Sequence, residues 1–254
     1  MKEKFISGIY NYCDRWCERC DFTARCRNYE TTGNLSPEQK DINNEVFWKT
    51  LASNFKLTIE LIQKAAKERG IDLSTPLTKE EEWEYKKSED LLRSKTNQHP
   101  LIQFCKQYQS LVRSFFENTD GFVNKAKELV NHLHLGMKSE EDVGKSMADI
   151  EDCIDIIQWY KFFIDAKLQR ALRGKIEGEE WEIENGFQKD SDGSAKIALI
   201  GIERSMAAWA KLYDQLPSSE DVSLKVLALL SQLKDITLRE FPKAMKFKRA
   251  GFDD

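Results

Sequence analysis

The chain has 254 residues, of which 41% are hydrophobic and 32% are charged. This balance is typical of a globular protein rather than a disordered one, and the length allows one large domain or two small ones. The formal net charge of −4 and the isoelectric point near 5.6 argue against a protein built mainly to coat nucleic acid.

The beginning of the chain contains no apolar run of signal-peptide length, and charged residues resume by Asp14. No later stretch approaches the roughly 18 uncharged apolar residues that a membrane-spanning helix requires. We therefore expect a cytoplasmic protein with no membrane partner. Because a reducing compartment disfavours structural disulfides, clustered cysteines in such a protein are better interpreted as metal ligands.

Four cysteines stand within 14 residues near the start of the chain, at Cys13, Cys17, Cys20 and Cys26. Four thiols that converge from a short, folded-back segment can hold one metal centre. Three interpretations remain open: a [4Fe–4S] cluster, which we favour, a structural Zn²⁺ ion, and thiols that bind no metal. Zinc takes second place because it commonly binds two cysteine pairs that a longer loop separates.

The last three cysteines, in the pattern Cys17-x2-Cys20-x5-Cys26, resemble the cluster-binding spacing of the endonuclease-III-type DNA glycosylases. The pattern is also similar to the cysteine run of the RecB-like iron–sulfur exonucleases and to part of the auxiliary-cluster motif of some radical SAM maturases. In all three families the resemblance implies a [4Fe–4S] cluster. The glycosylases have six residues before their CxxC, where this chain has three after Cys13. The helix–hairpin–helix of the glycosylases is also missing, so the resemblance does not extend to base excision.

After the cysteines, the sequence predicts a succession of helices. Several begin with a capping serine or threonine that is followed three residues later by an acidic or amide side chain, as at Ser36, Thr78 and Ser139. Apolar residues then recur at helical spacing, and no segment shows the period of two that a strand requires. The predicted helices span residues 37–69, 79–96, 100–117, 120–134, 140–173, 194–215 and 219–238.

These patterns predict an all-α fold, a helical bundle of about six or seven helices preceded by a short cysteine-rich metal-binding segment. Residues 1–35 would form that segment and residues 36–254 the helical bundle domain. The long helix near 140–173 would be the spine of the bundle. The glycine- and acid-rich stretch 174–193 follows it, and we expect this stretch to be a long connection.

Other residues with reactive or binding side chains favour structural roles. The Glu-x-x-His pairs of a di-iron bundle are absent from the sequence. Cys105 and Cys153 fall on or near apolar stripes, which predicts core positions. The C-terminal basic tail is either a phosphate contact or a solvated end, and it consists of Lys243, Lys246, Lys248 and Arg249. Core positions are also predicted for the tryptophans Trp48, Trp83, Trp159 and Trp209.

Two functions from different classes fit the sequence. We favour a bacterial-type metal-binding protein whose [4Fe–4S] cluster has a mainly structural role, in a helical domain that interacts with a protein or a nucleic acid. The alternative is an iron–sulfur redox enzyme or electron carrier with a substrate pocket in the bundle, lined by groups such as Glu151, Asp155, Tyr160 or Glu203. A structural four-cysteine zinc protein is a further alternative. No catalytic residue and no oligomeric state follow from the sequence.

Overall fold

The structure is a computed structural model that describes residues 4–33, 35–73 and 76–253. Within these ranges the chain forms helices and no strand, so the predicted all-α class is confirmed. The chain divides into two compact units. The first unit comprises Met1–Asn11 and Arg15–Asp90, and the second comprises Tyr12–Asp14 and Leu91–Asp254. The domain boundary predicted after residue 35 stays a prediction. No helix in the described part of the chain combines the length and the apolar character needed to cross a membrane.

The first unit begins with short elements that the sequence analysis did not predict. Its elements are the 3₁₀ turns Cys17–Arg19 and Thr23–Arg25, helices α1 (Arg27–Thr32), α2 (Pro37–Lys40) and α3 (Glu45–Glu68), and the greater part of α4 (Lys79–Gln98). The single helix predicted over 37–69 is therefore wrong, because the chain leaves the helix at Asp41. The Asp41 carboxylate accepts the N–H of Asn43 at 2.9 Å, and the Asn44 side chain then caps α3. Such local side-chain bonds compete with the helix backbone.

Two tryptophans of the first unit were predicted to be core residues, and this prediction is wrong. The side chain of Trp48 is 54% exposed and that of Trp83 is 62% exposed. Both make local contacts instead: the Trp48 indole N–H donates to the carbonyl of Ile42 at 2.9 Å, and the Lys87 ammonium lies 4.8 Å from the Trp83 ring. In the second unit Trp159 is also exposed, whereas Trp209 is fully buried as predicted.

The second unit is a helical bundle whose helices begin and end close to the predicted positions. Its remaining elements are α5 (Pro100–Glu117), α6 (Asp120–His134), α7 (Glu140–Glu177), α8 (Glu180–Glu184), α9 (Asp190–Gln215), α10 (Glu220–Glu240) and the 3₁₀ turns Pro217–Ser219 and Ala244–Lys246. The described residues thus contain ten α-helices rather than six or seven. Three of the ten, α1, α2 and α8, have only four to six residues.

The core of the second unit lies among four helices that contact one another in a ring. Helix α5 packs against α7, α7 against α9, α9 against α10, and α10 against α5. Their inward faces supply fully buried side chains, among them Tyr108, Ile164, Trp209 and Leu230. Cys105 and Cys153 are buried here as predicted, and burial raises the pKa of the Cys105 thiol.

The long connection predicted for residues 174–193 is wrong in its extent. Helix α7 continues to Glu177 and ends at Gly178, whose φ of 99° is the left-handed conformation that glycine adopts readily. Helix α9 already begins at Asp190. The Glu179 carboxylate accepts both the backbone N–H and the hydroxyl of Ser191 at 2.6 Å, so it caps the first turn of α9.

Candidate metal centre

Three of the four clustered cysteines lie at the ends of tight turns in the first unit. Cys17 begins the first 3₁₀ turn, and Cys20 closes it by donating its backbone N–H to the Cys17 carbonyl at 3.2 Å. Cys26 closes the second turn in the same way, by donating to the Thr23 carbonyl at 3.2 Å, and it directly precedes α1. Each cysteine of the pattern Cys17-x2-Cys20-x5-Cys26 therefore marks an end of a short turn rather than a position inside a regular helix.

The thiols of the cluster are chemically suited to ligation. None of the described cysteines is joined in a disulfide, and the four clustered ones are all partly exposed. The backbone N–H of Phe22 donates to the Cys20 sulfur at 3.4 Å. Such N–H···S bonds stabilise negative charge on sulfur, which is the state in which cysteine binds metals. The donor set therefore fits a metal that prefers thiolates.

Cys13 lies in the segment Tyr12–Asp14, which belongs to the second unit. On its N-terminal side, the Tyr12 hydroxyl donates to a carboxylate oxygen of Asp190 at 2.8 Å, and the Tyr12 ring meets the Phe247 ring edge-on at 4.6 Å. A Cβ atom at Gly193 would lie 2.5 Å from the Tyr12 ring, so only glycine permits this contact. Burial and the bond to Asp190 raise the pKa of Tyr12.

On the C-terminal side of Cys13, Asp14 is bound by two helices of the bundle. The Tyr160 hydroxyl of α7 donates to the Asp14 carboxylate at 2.6 Å, and the Arg204 guanidinium of α9 donates to the same oxygen and to the Tyr160 hydroxyl. The Trp159 indole N–H donates to the Asp14 carbonyl at 3.1 Å. Burial, followed by the bond to Asp14, raises the pKa of Tyr160. Cys13 is thus flanked by two residues that are bound to the bundle.

The structure assigns Cys13 to one compact unit and Cys17, Cys20 and Cys26 to the other. Among the described residues, no group of three or more His, Cys, Asp or Glu side chains is arranged so that it could hold one metal ion. The set of four ligands therefore stays a prediction that rests on the sequence spacing and on the chemistry of the thiols.

The side chains suggested for a substrate pocket occupy different environments. Tyr160 is buried and bound to Asp14, as described above. Glu151 and Asp155 are exposed on α7, and the exposed Glu203 carboxylate pairs with the Lys234 ammonium at 2.8 Å. The acidic residues therefore occupy exposed positions, whereas Tyr160 serves to anchor the segment that contains Cys13.

Comparison with known proteins adds no assignment to this site. No protein-family model, curated protein or solved structure matches the chain.

Proposed function

We propose that this chain is a metal-binding protein in which Cys13, Cys17, Cys20 and Cys26 hold a [4Fe–4S] cluster. The cluster has a mainly structural role in a helical domain that interacts with a protein or nucleic-acid partner. The observation that carries the proposal is the placement of the thiols: all are partly exposed and outside disulfides, and three lie at the ends of consecutive tight turns. Thiols in such positions are accessible to a metal and are displayed by a short segment.

The residues of this chain would hold the cluster in two ways. A cluster bound by four thiolates supplies a rigid link between the chain positions of its ligands and can carry an electron. The Phe22 N–H compensates charge on the Cys20 sulfur, as other backbone amides do at iron–sulfur sites. Tyr12 and Asp14 fix the backbone on either side of Cys13. These anchors favour a structural role, since they hold a ligand segment in place.

Metal analysis of protein purified without air tests the proposal. We expect a brown protein with broad absorption near about 400 nm and with about four irons and four sulfides per chain, because a cubane on four thiolates has that composition. A colourless protein with one tightly bound zinc would instead establish the four-cysteine zinc alternative. A protein with neither metal would show that the thiols serve another purpose.

Cysteine variants test the ligand set. We expect Cys17→Ala and Cys20→Ala to lose the metal and Cys13→Ala to lose it in the same way. The matched control is Cys105→Ala, which removes a thiol that is buried in the bundle core and should keep its full metal content. Equal metal content in all four variants, each verified as helical by circular dichroism, would contradict the assignment.

A redox role is the second candidate, and one observation favours it. Trp159 and Tyr160 bond to the backbone and to the side chain of Asp14, the residue next to the proposed ligand Cys13. Two aromatic side chains at this place offer an electron a route into the bundle. Reversible one-electron reduction at an accessible potential would support the redox role. A cluster that cannot be cycled without unfolding the protein would support the structural one.

A further inference from the structure

The second unit contains a groove of about 310 Å³ that has no part in the cysteine site. One wall consists of α8 and the residues that lead into α9, and the other consists of the 3₁₀ turn Ala244–Lys246 and the residues beside it. The groove therefore lies next to the basic tail that the sequence analysis singled out. Its volume is at the lower end of the range for small-molecule sites.

Side-chain bonds to the backbone tie the two walls together. The Gln188 side-chain Nε2 donates to the backbone carbonyl of Lys248 at 3.1 Å, and the backbone N–H of Lys248 donates to the side-chain Oε1 of Gln188 at 2.7 Å. At the wall that contains Phe247, the ammonium group of Lys196 donates to the Phe247 carbonyl at 2.5 Å and to the Asp253 carboxylate at 2.7 Å. The groove is thus formed before any ligand enters, which lowers the cost of binding.

Positive charge predominates in the groove. Lys189, Lys243 and Lys246 line it, and Asp192 is its one acidic lining residue. None of the three lysines forms an ion pair with another residue in the described part of the chain. Burial and the nearby Glu179 carboxylate raise the pKa of Asp192, whereas Lys189 and Lys243 act in the opposite direction. Three ammonium groups against one carboxylate leave the lining of this concave site with a net positive charge, which attracts an anion.

Exposed apolar side chains line the same groove. The Phe187 side chain is 60% exposed, and Ile183 is exposed to a similar degree. Phe247 also lines the groove, and its ring is buried and in contact with the Tyr12 ring. An exposed aromatic ring beside lysines is the combination on which nucleic-acid bases stack while their phosphates are neutralised. Inorganic phosphate alone would leave this apolar surface without a contact.

We propose that this groove binds a nucleotide, either as a free mononucleotide or as the terminal unit of a single strand. The lysines hold the phosphate, Phe187 and Ile183 hold the base, and Asp192 accepts a hydrogen bond from a sugar hydroxyl. The site accommodates one such unit because of its size. The proposal goes beyond the proposed metal site and does not depend on it.

Calorimetric titration of the full chain tests the ligand class with three probes: adenosine monophosphate, inorganic phosphate and adenosine. We expect saturable binding of the mononucleotide, with a higher affinity than that of inorganic phosphate or adenosine alone. Equal affinity for phosphate and for the mononucleotide would overturn the proposal, as would a lack of binding. A single-stranded ten-residue adenine oligonucleotide, with and without a 5′ phosphate, then identifies the source. Tighter binding of the phosphorylated strand than of the mononucleotide indicates a strand end, and the reverse order indicates a free nucleotide.

Variants place the binding in this groove. Replacement of both Lys243→Gln and Lys246→Gln is expected to weaken mononucleotide binding about tenfold, since it removes two charge-assisted contacts. Phe187→Ala should weaken binding of the mononucleotide and leave that of phosphate unchanged. Lys225→Gln, at an exposed lysine of α10 outside the groove, is the matched control. Unchanged affinity in the double variant would overturn the proposal. Metal content measured on the same samples keeps this result separate from the cysteine site.

Discussion

Helices α3 and α9 have nearly the same length but bury very different numbers of residues. Helix α3 has 24 residues and buries only Ala66, whereas α9 has 26 residues and buries fourteen. Helix α3 nevertheless carries large apolar side chains, including Trp48, Phe55 and Ile59, which are all more than half exposed. An amphipathic pattern is therefore enough to predict a helix, but it does not determine how much apolar surface that helix removes from water.

The difference bears directly on stability. Burial of apolar surface is the main favourable contribution to folding, at about 25 cal/mol for each Å² buried. Helix α9 contacts both α7 and α10 within the bundle, and its inward face is almost completely buried. We therefore expect the bundle to account for most of the free energy of unfolding, and substitutions in α3 to have small effects.

Truncation of a large aromatic side chain in each helix gives the greatest expected contrast. Trp209→Ala should lower the free energy of unfolding by about 3–5 kcal/mol, because it leaves a cavity beneath Phe115 in the core. Phe55→Ala, on the exposed face of α3, should change it by no more than about 0.5 kcal/mol. Urea unfolding followed by circular dichroism measures both values. Equal losses would show that α3 is buried to the same extent as α9 in solution.

Two helical glycines provide a second contrast, this time within the bundle. A Cβ atom at Gly201 of α9 would lie 2.9 Å from the Tyr160 ring and 3.2 Å from Ile164, so Gly201→Ala should cost about 1–3 kcal/mol through overpacking. Gly144 of α7 has no neighbouring atom within 4 Å of such a position, and Gly144→Ala should stabilise the protein by about 1 kcal/mol. Thermal unfolding shows whether each substitution lowers or raises the stability of the protein. Stabilisation by Gly201→Ala would mean that α7 and α9 are not in close contact there.

Most of the helices could be predicted from the sequence because their signals are local. Capping boxes at Ser36 and Ser139 form as predicted, and most of each apolar stripe in α5 and α7 is buried. The errors arose where local chemistry competes with the helical pattern. Asp41 and Asn44 interrupt the predicted helix 37–69 through bonds to nearby backbone groups, which apolar spacing does not reveal.

The candidate site was less accessible to sequence reasoning because its supports are distant along the chain. Asp14 and Tyr160 are 146 positions apart, and no spacing rule connects them. The sequence suggests Tyr160 as a pocket residue, yet Tyr160 and Arg204 both bind Asp14 beside Cys13. The lysines of the C-terminal tail were noted, but their partners across the groove, Phe187 and Lys189, were not. Only the fold places these residues side by side.

A partly buried ion pair in the second unit and an exposed pair in the first unit form a third contrast. Bonds from Arg249 and Lys196 hold the pKa of Asp253 well below its ordinary value of 3.8. The stabilisation from Asp253 is therefore present above pH 3.8 and is lost as the pH falls towards the lower pKa of the folded state. Asp253→Asn should lower the free energy of unfolding by about 1.5 kcal/mol at pH 7.

Urea titrations at pH 7, 5 and 3 measure this effect. The difference between wild type and Asp253→Asn should be the same at pH 7 and pH 5 and smaller at pH 3. The control is Glu30→Gln, which breaks the largely exposed pair with Lys4 and should cost less than about 0.5 kcal/mol. A cost for Asp253→Asn that does not change between pH 7 and pH 3 would contradict the lowered pKa.

The smallest contrast compares the same capping interaction in the two units. Ser139 caps α7 by accepting the Asp142 N–H at 3.1 Å, and Ser36 caps α2 by accepting the Gln39 N–H at 3.3 Å. Ser139→Ala should lower the free energy of unfolding of the bundle by about 1 kcal/mol. Ser36→Ala removes a similar bond from a four-residue helix that buries no residue, so the bundle should unfold at the same urea concentration as in wild type.

Hydrogen exchange tests the prediction for Ser36→Ala, because loss of the cap should increase local opening even where the free energy of unfolding of the bundle does not change. We expect the amides of α2 and the first turn of α3 to exchange faster in Ser36→Ala, while those of α7 and α9 keep their protection. If Ser36→Ala accelerated exchange in α7 and α9 as well, the two units would unfold together. The difference in burial between α3 and α9 would then describe the local environment of each helix, and it would not mean that the two units differ in stability.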